Sequence, residues 1–142
     1  MKQFLNISLP ASPEHVEPMR DAATAIAREL GFSAEQVARV ELAVEEAITN
    51  VILHAYAGGK GNVSLSCSRD DDGQFAVTVT DCGMAFDPTA SANAAKEPAP
   101  EKPAMGGLGI NLLRHNADRL AYRRANGKNI LAMMFDPENG QP

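Results

Sequence analysis

Residues 33–56, SAEQVARVELAVEEAITNVILHAY, carry the pattern on which the fold turns. Ser33 and Gln36 stand three apart and form a capping box, the signature of a helix start. Val37, Val40, Ala43, Val44, Ala47, Ile48, Val51 and Ile52 recur at helical spacing and make a broad apolar face. The helix is predicted to end near His54, before the Gly58-Gly59 turn. Within it, Glu46 and Asn50 lie four apart, on one face and one turn from each other. A carboxylate and an amide oxygen so placed suit work around a hard cation such as Mg²⁺. The carboxylate can equally take a proton from a nucleophile, and a solvated helix face would carry the same pair. Asn50 has no capping task in mid-helix and is a mediocre helix former, which favours a site.

Working outward towards the N-terminus, Val16, Met19, Ala22, Ala23, Ile26, Ala27 and Leu30 form another helical stripe. Ser12-Pro13 opens it and Gly31 closes it, and Pro18 implies that its first turn is separate or kinked. Phe4, Ile7 and Leu9 ahead of Pro10 read as a strand. Towards the C-terminus, Val63, Leu65 and Cys67 alternate with serines, and Phe75, Val77 and Val79 alternate with Ala76, Thr78 and Thr80. The Asp70–Gly73 cluster turns one strand into the other, and Asp81-Cys82-Gly83 ends the second. Residues 89–105 contain Ala, Pro and polar residues with no Val, Ile, Leu or aromatic, which predicts a surface loop of lid-like length. Gly106-Gly107-Leu108-Gly109 opens a third helix, and Asn126-Gly127 joins two closing strands as a hairpin. The predicted order is β-α-α-β-β-loop-α-β-β: an α/β two-layer sandwich, its sheet mixed and mostly antiparallel, covered on one face by three helices.

Composition bounds the function. The chain has 142 residues, 44% hydrophobic and 22% charged, with a net charge of -5. That length suits one domain over 1–142, and the acidic balance argues against a nucleic-acid binder. The longest apolar run, residues 130–135, is far below the ~20 residues that a membrane helix needs, and no secretory leader is visible. Cys67 and Cys82 offer neither a disulfide framework nor metal spacing. A cytoplasmic enzyme or binding domain fits these features.

Three segments taken in order are more specific than any one of them: EEAITNVILHAY, then DCGMAFDP, then a loop and GGLGI. The series resembles the N, G1 and G2 boxes of the GHKL ATPases, whose ATP-binding domain is the Bergerat fold. It is most similar to the small anti-sigma factor serine kinases of bacterial partner-switching systems. Asn50 through His54-Ala55-Tyr56, Phe86-Asp87-Pro88, and the Tyr122–Asn129 hairpin carry that likeness, over about residues 5–135.

The resemblance implies ATP and Mg²⁺ as ligands. It implies Glu46 as the general base that deprotonates a substrate serine and Asn50 as the Mg²⁺ ligand on the triphosphate. Asp81 would bond the adenine amine, with Gly83 and Phe86 shaping the pocket. Residues 89–105 would be the ATP lid, and Gly106, Gly107, Leu108 and Gly109 the phosphate cradle. Many members carry a Thr at the adenine in the penultimate turn. Here the stretch reads Gly127-Lys128-Asn129, and Asn129 stands in that place. The lid has no Arg, which leaves Lys96 or Lys102 as its cations. The partners implied are a STAS-domain anti-anti-sigma protein as substrate, a sigma factor or similar regulator as the sequestered protein, and a second copy in a homodimer. Arg20 and Asp21 on the first helix are expected to face outward, towards the antagonist. Two alternatives stay open: a nucleotide-gated binding switch without kinase activity, and a detached histidine-kinase catalytic domain.

Overall fold

Alternation within the strands decides which face of the sheet meets the helices. The structure, a computed structural model, describes residues 2–90 and 113–137. Its strands are β1 (Lys2–Pro10), β2 (Asn62–Arg69), β3 (Phe75–Asp81), β4 (Arg119–Ala125) and β5 (Lys128–Phe135). They form one sheet in the order β1-β2-β3-β5-β4, and every neighbouring pair is antiparallel. Val63, Leu65 and Cys67 of β2, Phe75, Val77 and Val79 of β3, and Leu131, Met133 and Phe135 of β5 are buried on the inner face. Ser64, Ser66, Thr78 and Thr80 line a shallow concavity on the other. Of Met133 and Met134 only Met133 is buried, because successive strand residues point to opposite faces.

Two helices cover the inner face. Pro13–His15 form a 3₁₀ turn that leads into α1 (Val16–Glu29), the separate first turn that Pro18 implied. Leu30 caps α1, Gly31 follows at φ +88°, and Phe32 N–H donates to Ala27 C=O while Gly31 N–H donates to Arg28 C=O. This is a Schellman motif, and it needs a residue tolerant of positive φ. The capping box then starts α2 (Ala34–Asn50): Gln36 N–H donates to Ser33 Oγ at 3.1 Å, and Ser33 N–H donates to Gln36 Oε1 at 3.2 Å. Residues 113–116 are helical and place Leu113 in the same core.

Arg20 departs from expectation. It lies in the seam between the helices, with Glu17 and Asp21 of α1 at 3.5 and 3.1 Å and Glu41 and Glu45 of α2 at 3.8 and 3.7 Å. An apolar helix must place its few charges outside the core, but the groove beside a neighbouring helix meets that need as well as open solvent does.

At the far end of the core, Phe75 is fully buried, edge-on to Phe32 at 5.8 Å between ring centroids and tilted against Phe135 at 6.3 Å. Truncating it removes one side of both contacts. Phe75→Ala is expected to cost about 3–5 kcal/mol, read as a lowered midpoint in chemical denaturation.

Candidate nucleotide site

The site begins where α2 stops being an α-helix. Asn50 is its last α-helical residue, and Val51–Ala55 continue as a π-helical turn in which Tyr56 N–H donates to Val51 C=O at 3.0 Å. The β-branched residues Thr49, Val51 and Ile52 crowd this turn, a weak signal that did not by itself announce the wider winding. Such turns are rare and collect at functional sites. Here it brings Ala55 beside the end of β3, where Ala55 C=O accepts from Met84 N–H at 2.8 Å.

Gly83 shows why that approach is possible. A Cβ built on it would lie 2.5 Å from Ala55 O and 2.9 Å from Ala55 Cβ. The glycine is therefore required by the backbone of the π turn, a nearer cause than clearance for a bound ring. Two further ties fix the segment. Arg124 Nη1 donates to Gly83 C=O at 2.8 Å, and Tyr56 Oη accepts from Cys82 N–H at 2.9 Å while donating to Asn62 C=O at 2.7 Å. The Cys82 side chain is exposed. Cys67 is a core residue, and burial pushes its thiol up to about 12.

Asn50, Asp81, Phe86, Tyr122 and Asn129 come together around one cavity, with Leu131 among the apolar residues that line it. Antiparallel register makes Asp81 of β3 the partner of Asn129 of β5, both inward. Asp81 is 3% exposed and Asn129 4%. Asp81 Oδ1 accepts from Gly83 N–H and from Asn129 Nδ2, each at 2.8 Å. Asn129 Nδ2 also donates to Met84 C=O at 2.9 Å, and Asn129 Oδ1 accepts from Phe86 N–H at 3.2 Å and from Tyr122 Oη. Asn129 is thus committed to protein groups, which leaves Asp81 as the polar side chain of the pair that can meet a base directly.

Two buried polar atoms have no hydrogen-bond partner among the described residues: Asn50 Nδ2 and His54 Nε2. An orphaned buried amide costs roughly 1–3 kcal/mol, and Asn50, 5% exposed, lines the cavity. A polar ligand would relieve that cost. His54 stacks on Phe86, centroids 4.8 Å apart and rings 17° from parallel. Glu46 stands one turn before Asn50, half-buried and outside the lining. Burial, and after it the neighbouring Glu45 carboxylate, hold its carboxyl above the ordinary range, which makes it a better proton acceptor. No group of three or more His, Cys, Asp or Glu among the described residues could cage a metal. A Mg²⁺ carried mainly by phosphates and water, and touched by Asn50, is compatible with that donor set.

Gly106, Gly107, Leu108 and Gly109 lie outside the described residues, as do residues 91–105 of the expected lid. At the near edge of that stretch, Thr89 N–H and Oγ1 both donate to Asp87 Oδ1, at 2.8 and 2.6 Å. Arg114 then reaches across to donate to Thr89 C=O at 3.0 Å. Sequence reading passed over Arg114 because a charge on a short helix carries no pattern of its own.

The histidine kinase-like ATPase domain matches residues 9–135. The serine-protein kinase RsbW of Halalkalibacterium halodurans is 32% identical over 92% of this chain and 82% of its own length. The chain belongs to the RsbW serine-protein kinase family. The RsbW of Oceanobacillus iheyensis is 27% identical over 95% of this chain and 88% of its own. Among solved structures, the RsbU and RsbW domains of a Mycobacterium tuberculosis protein superpose with a TM-score of 0.67 at 17% identity, over 94% of this chain and 32% of that one. A chain of the SiaB–SiaC complex of Pseudomonas aeruginosa gives 0.60 at 13% identity, over 94% of this chain and 90% of that one. At those identities the structures speak for the fold. RsbW membership makes the chain an ATP-binding protein of the kinase class, as the order of its boxes implied. No helix among the described residues is long and apolar enough to cross a membrane.

The close approach at Gly83 is directly testable. Gly83→Ala must displace either the π turn or the strand end, and overpacking of this kind costs about 1–3 kcal/mol. Thermal unfolding of the variant is expected to show that loss, and an unchanged midpoint would refute the packing argument.

Proposed function

We propose that this RsbW-family domain, one unit over 1–142, transfers the γ-phosphoryl group of Mg-ATP to a serine or threonine of a STAS-type antagonist. We propose also that it sequesters a sigma factor or similar regulator, acts in the cytoplasm and pairs with a second copy of itself. The observation that carries the reading is the cavity in which a buried, pre-bonded Asp81 faces an unpartnered Asn50 amide one turn from a base-poised Glu46.

Each residue has its own task. Asp81 accepts a hydrogen bond from the amine of adenine against the wall formed by Phe86 and Leu131. Asn50 would hold the metal on the phosphates, and residues 106–109 would cradle the phosphates. Mg-ATP supplies the phosphoryl group and the cation that neutralises its charge. Glu46 takes the proton from the attacking hydroxyl as the new O–P bond forms and the bond to the ADP oxygen breaks. Positioning and charge stabilisation dominate such transfers, so a single well-placed carboxylate is a sufficient acid–base group.

Glu46 and Asn50 share a helix face, yet their tasks separate experimentally. With purified protein, labelled Mg-ATP and a STAS protein, Glu46→Gln should keep near-normal nucleotide affinity while transfer falls at least ~10²-fold. Asn50→Ala should lose Mg-dependent nucleotide binding together with transfer. Wild-type transfer by Glu46→Gln would sink the mechanism, and binding without transfer in the wild-type protein would identify a switch.

The rate should also follow the protonation of Glu46. Activity falls as pH drops through its raised value, because the protonated carboxyl cannot accept a proton. Glu45→Gln removes the like charge that helps raise it. The acid limb of the pH–rate profile is therefore expected to move to lower pH, and a limb that stayed in place or moved up would contradict the assignment of the base.

A further inference from the structure

Asn129 occupies a position where the sequence suggested a direct contact with adenine, but its bonds point elsewhere. Its amide meets four protein groups: Asp81 Oδ1, Met84 C=O, Phe86 N–H and Tyr122 Oη. Two of these act in one sense only. A backbone N–H can only donate, and a backbone C=O can only accept. Phe86 and Met84 therefore fix which end of the amide is oxygen, and the amide cannot flip without breaking both bonds. Nδ2 is held towards Asp81.

The consequence falls on the carboxylate. Asp81 Oδ1 receives two N–H donors, from Gly83 and Asn129, and no hydrogen bond among the described residues uses Oδ2. One oxygen is saturated and the other is left as an acceptor in a cavity that Asp81 lines. Resting on the nucleotide reading above, we propose that Asn129 is a positioning residue for base selection. It does not touch the nucleotide. It fills Oδ1 and aims Oδ2, so that the site accepts the exocyclic amine of adenine and rejects guanine, whose 6-oxo group would face a second acceptor. A site that buries an unmatched polar group in this way discriminates far better than one that merely excludes by size.

The test uses the full chain and reads binding of Mg-ATP and Mg-GTP by calorimetry, independently of transfer. Asn129→Val and Asn129→Thr have the same shape, suit a strand, and differ only in a hydroxyl that can donate to Asp81. The wild-type protein is expected to prefer ATP. Asn129→Val should lose at least about tenfold in ATP affinity, the order of one hydrogen bond to a charged group, with GTP affected much less. Asn129→Thr should recover the ATP-over-GTP ratio to within a small factor. Should the valine variant fail to fold, Asn129→Ala against Asn129→Ser makes the same comparison in a smaller side chain. A folded variant without the donor that keeps the wild-type ratio overturns the proposal, and so does equal loss of both nucleotides. A wild-type protein that binds neither nucleotide overturns instead the nucleotide reading beneath it.

Discussion

A carboxylate buried at the end of a strand whose other inward residues are apolar is the constraint that the site is built around. Taking Asp81 out of water costs several kcal/mol unless its oxygens are matched. The match comes from the register of β3 against β5, which sets Asn129 directly opposite. The Asn126-Gly127 turn, whose residues take φ +53° and +75°, pins Ala125 to Lys128 and so sets β4 against the other edge of β5. Bringing in Asn129 creates new polar groups to satisfy, and the turn after β3 folds back to do so with Met84 C=O and Phe86 N–H. Tyr122 completes the set from β4. Burial, the first of several influences on its phenol, pushes it up and keeps the hydroxyl protonated as a donor.

The helix α2 divides its surface among three tasks. Its innermost residues, Val40, Ala43, Val44, Ala47 and Ile48, join the core. Glu41 and Glu45 turn towards Arg20 in the seam with α1. Glu46 and Asn50 take the remaining arc, and adjacency in sequence does the electrostatic work. Glu45 helps hold the Glu46 carboxyl up, and the same Glu45 lies 3.7 Å from Arg20 in the seam. The seam and the site are thus coupled through two consecutive residues.

Periodicity made most of this fold legible. Strand alternation in residues 63–67 and 75–79, the Ser33–Gln36 box and the Asn-Gly hairpin are local rules, and each is met where it was read. What sequence could not convey is where the polar end of a side chain finds its partner. Arg20 lies in a seam because α1 and α2 pack together, and neither helix announces that alone. Gly83 is a glycine because of Ala55, 28 residues earlier in the chain, whose approach depends on the π turn. Asn129 was marked as a site residue from its place in a motif, but its bonds to Asp81, Met84 and Phe86 are tertiary facts. The segment from residue 91 to 112 was read from composition and box order only.

The π turn at Val51–Ala55 also bears on how this chain can change in length. A π turn is an α-helix carrying one additional residue per hydrogen-bonded ring. Deleting any residue of that segment would let the helix wind regularly and rotate everything beyond it by about 100°. Tyr56 would then swing away from Asn62 and Cys82, and Ala55 from Met84. A few residues later, Gly58 has nothing within 4 Å of a built Cβ and Lys60 is exposed. Insertions and deletions should therefore be tolerated in the 57–60 turn and purged from the five residues before it. The boundary between the two regimes falls at Tyr56, whose single hydroxyl joins the helix end to both strands.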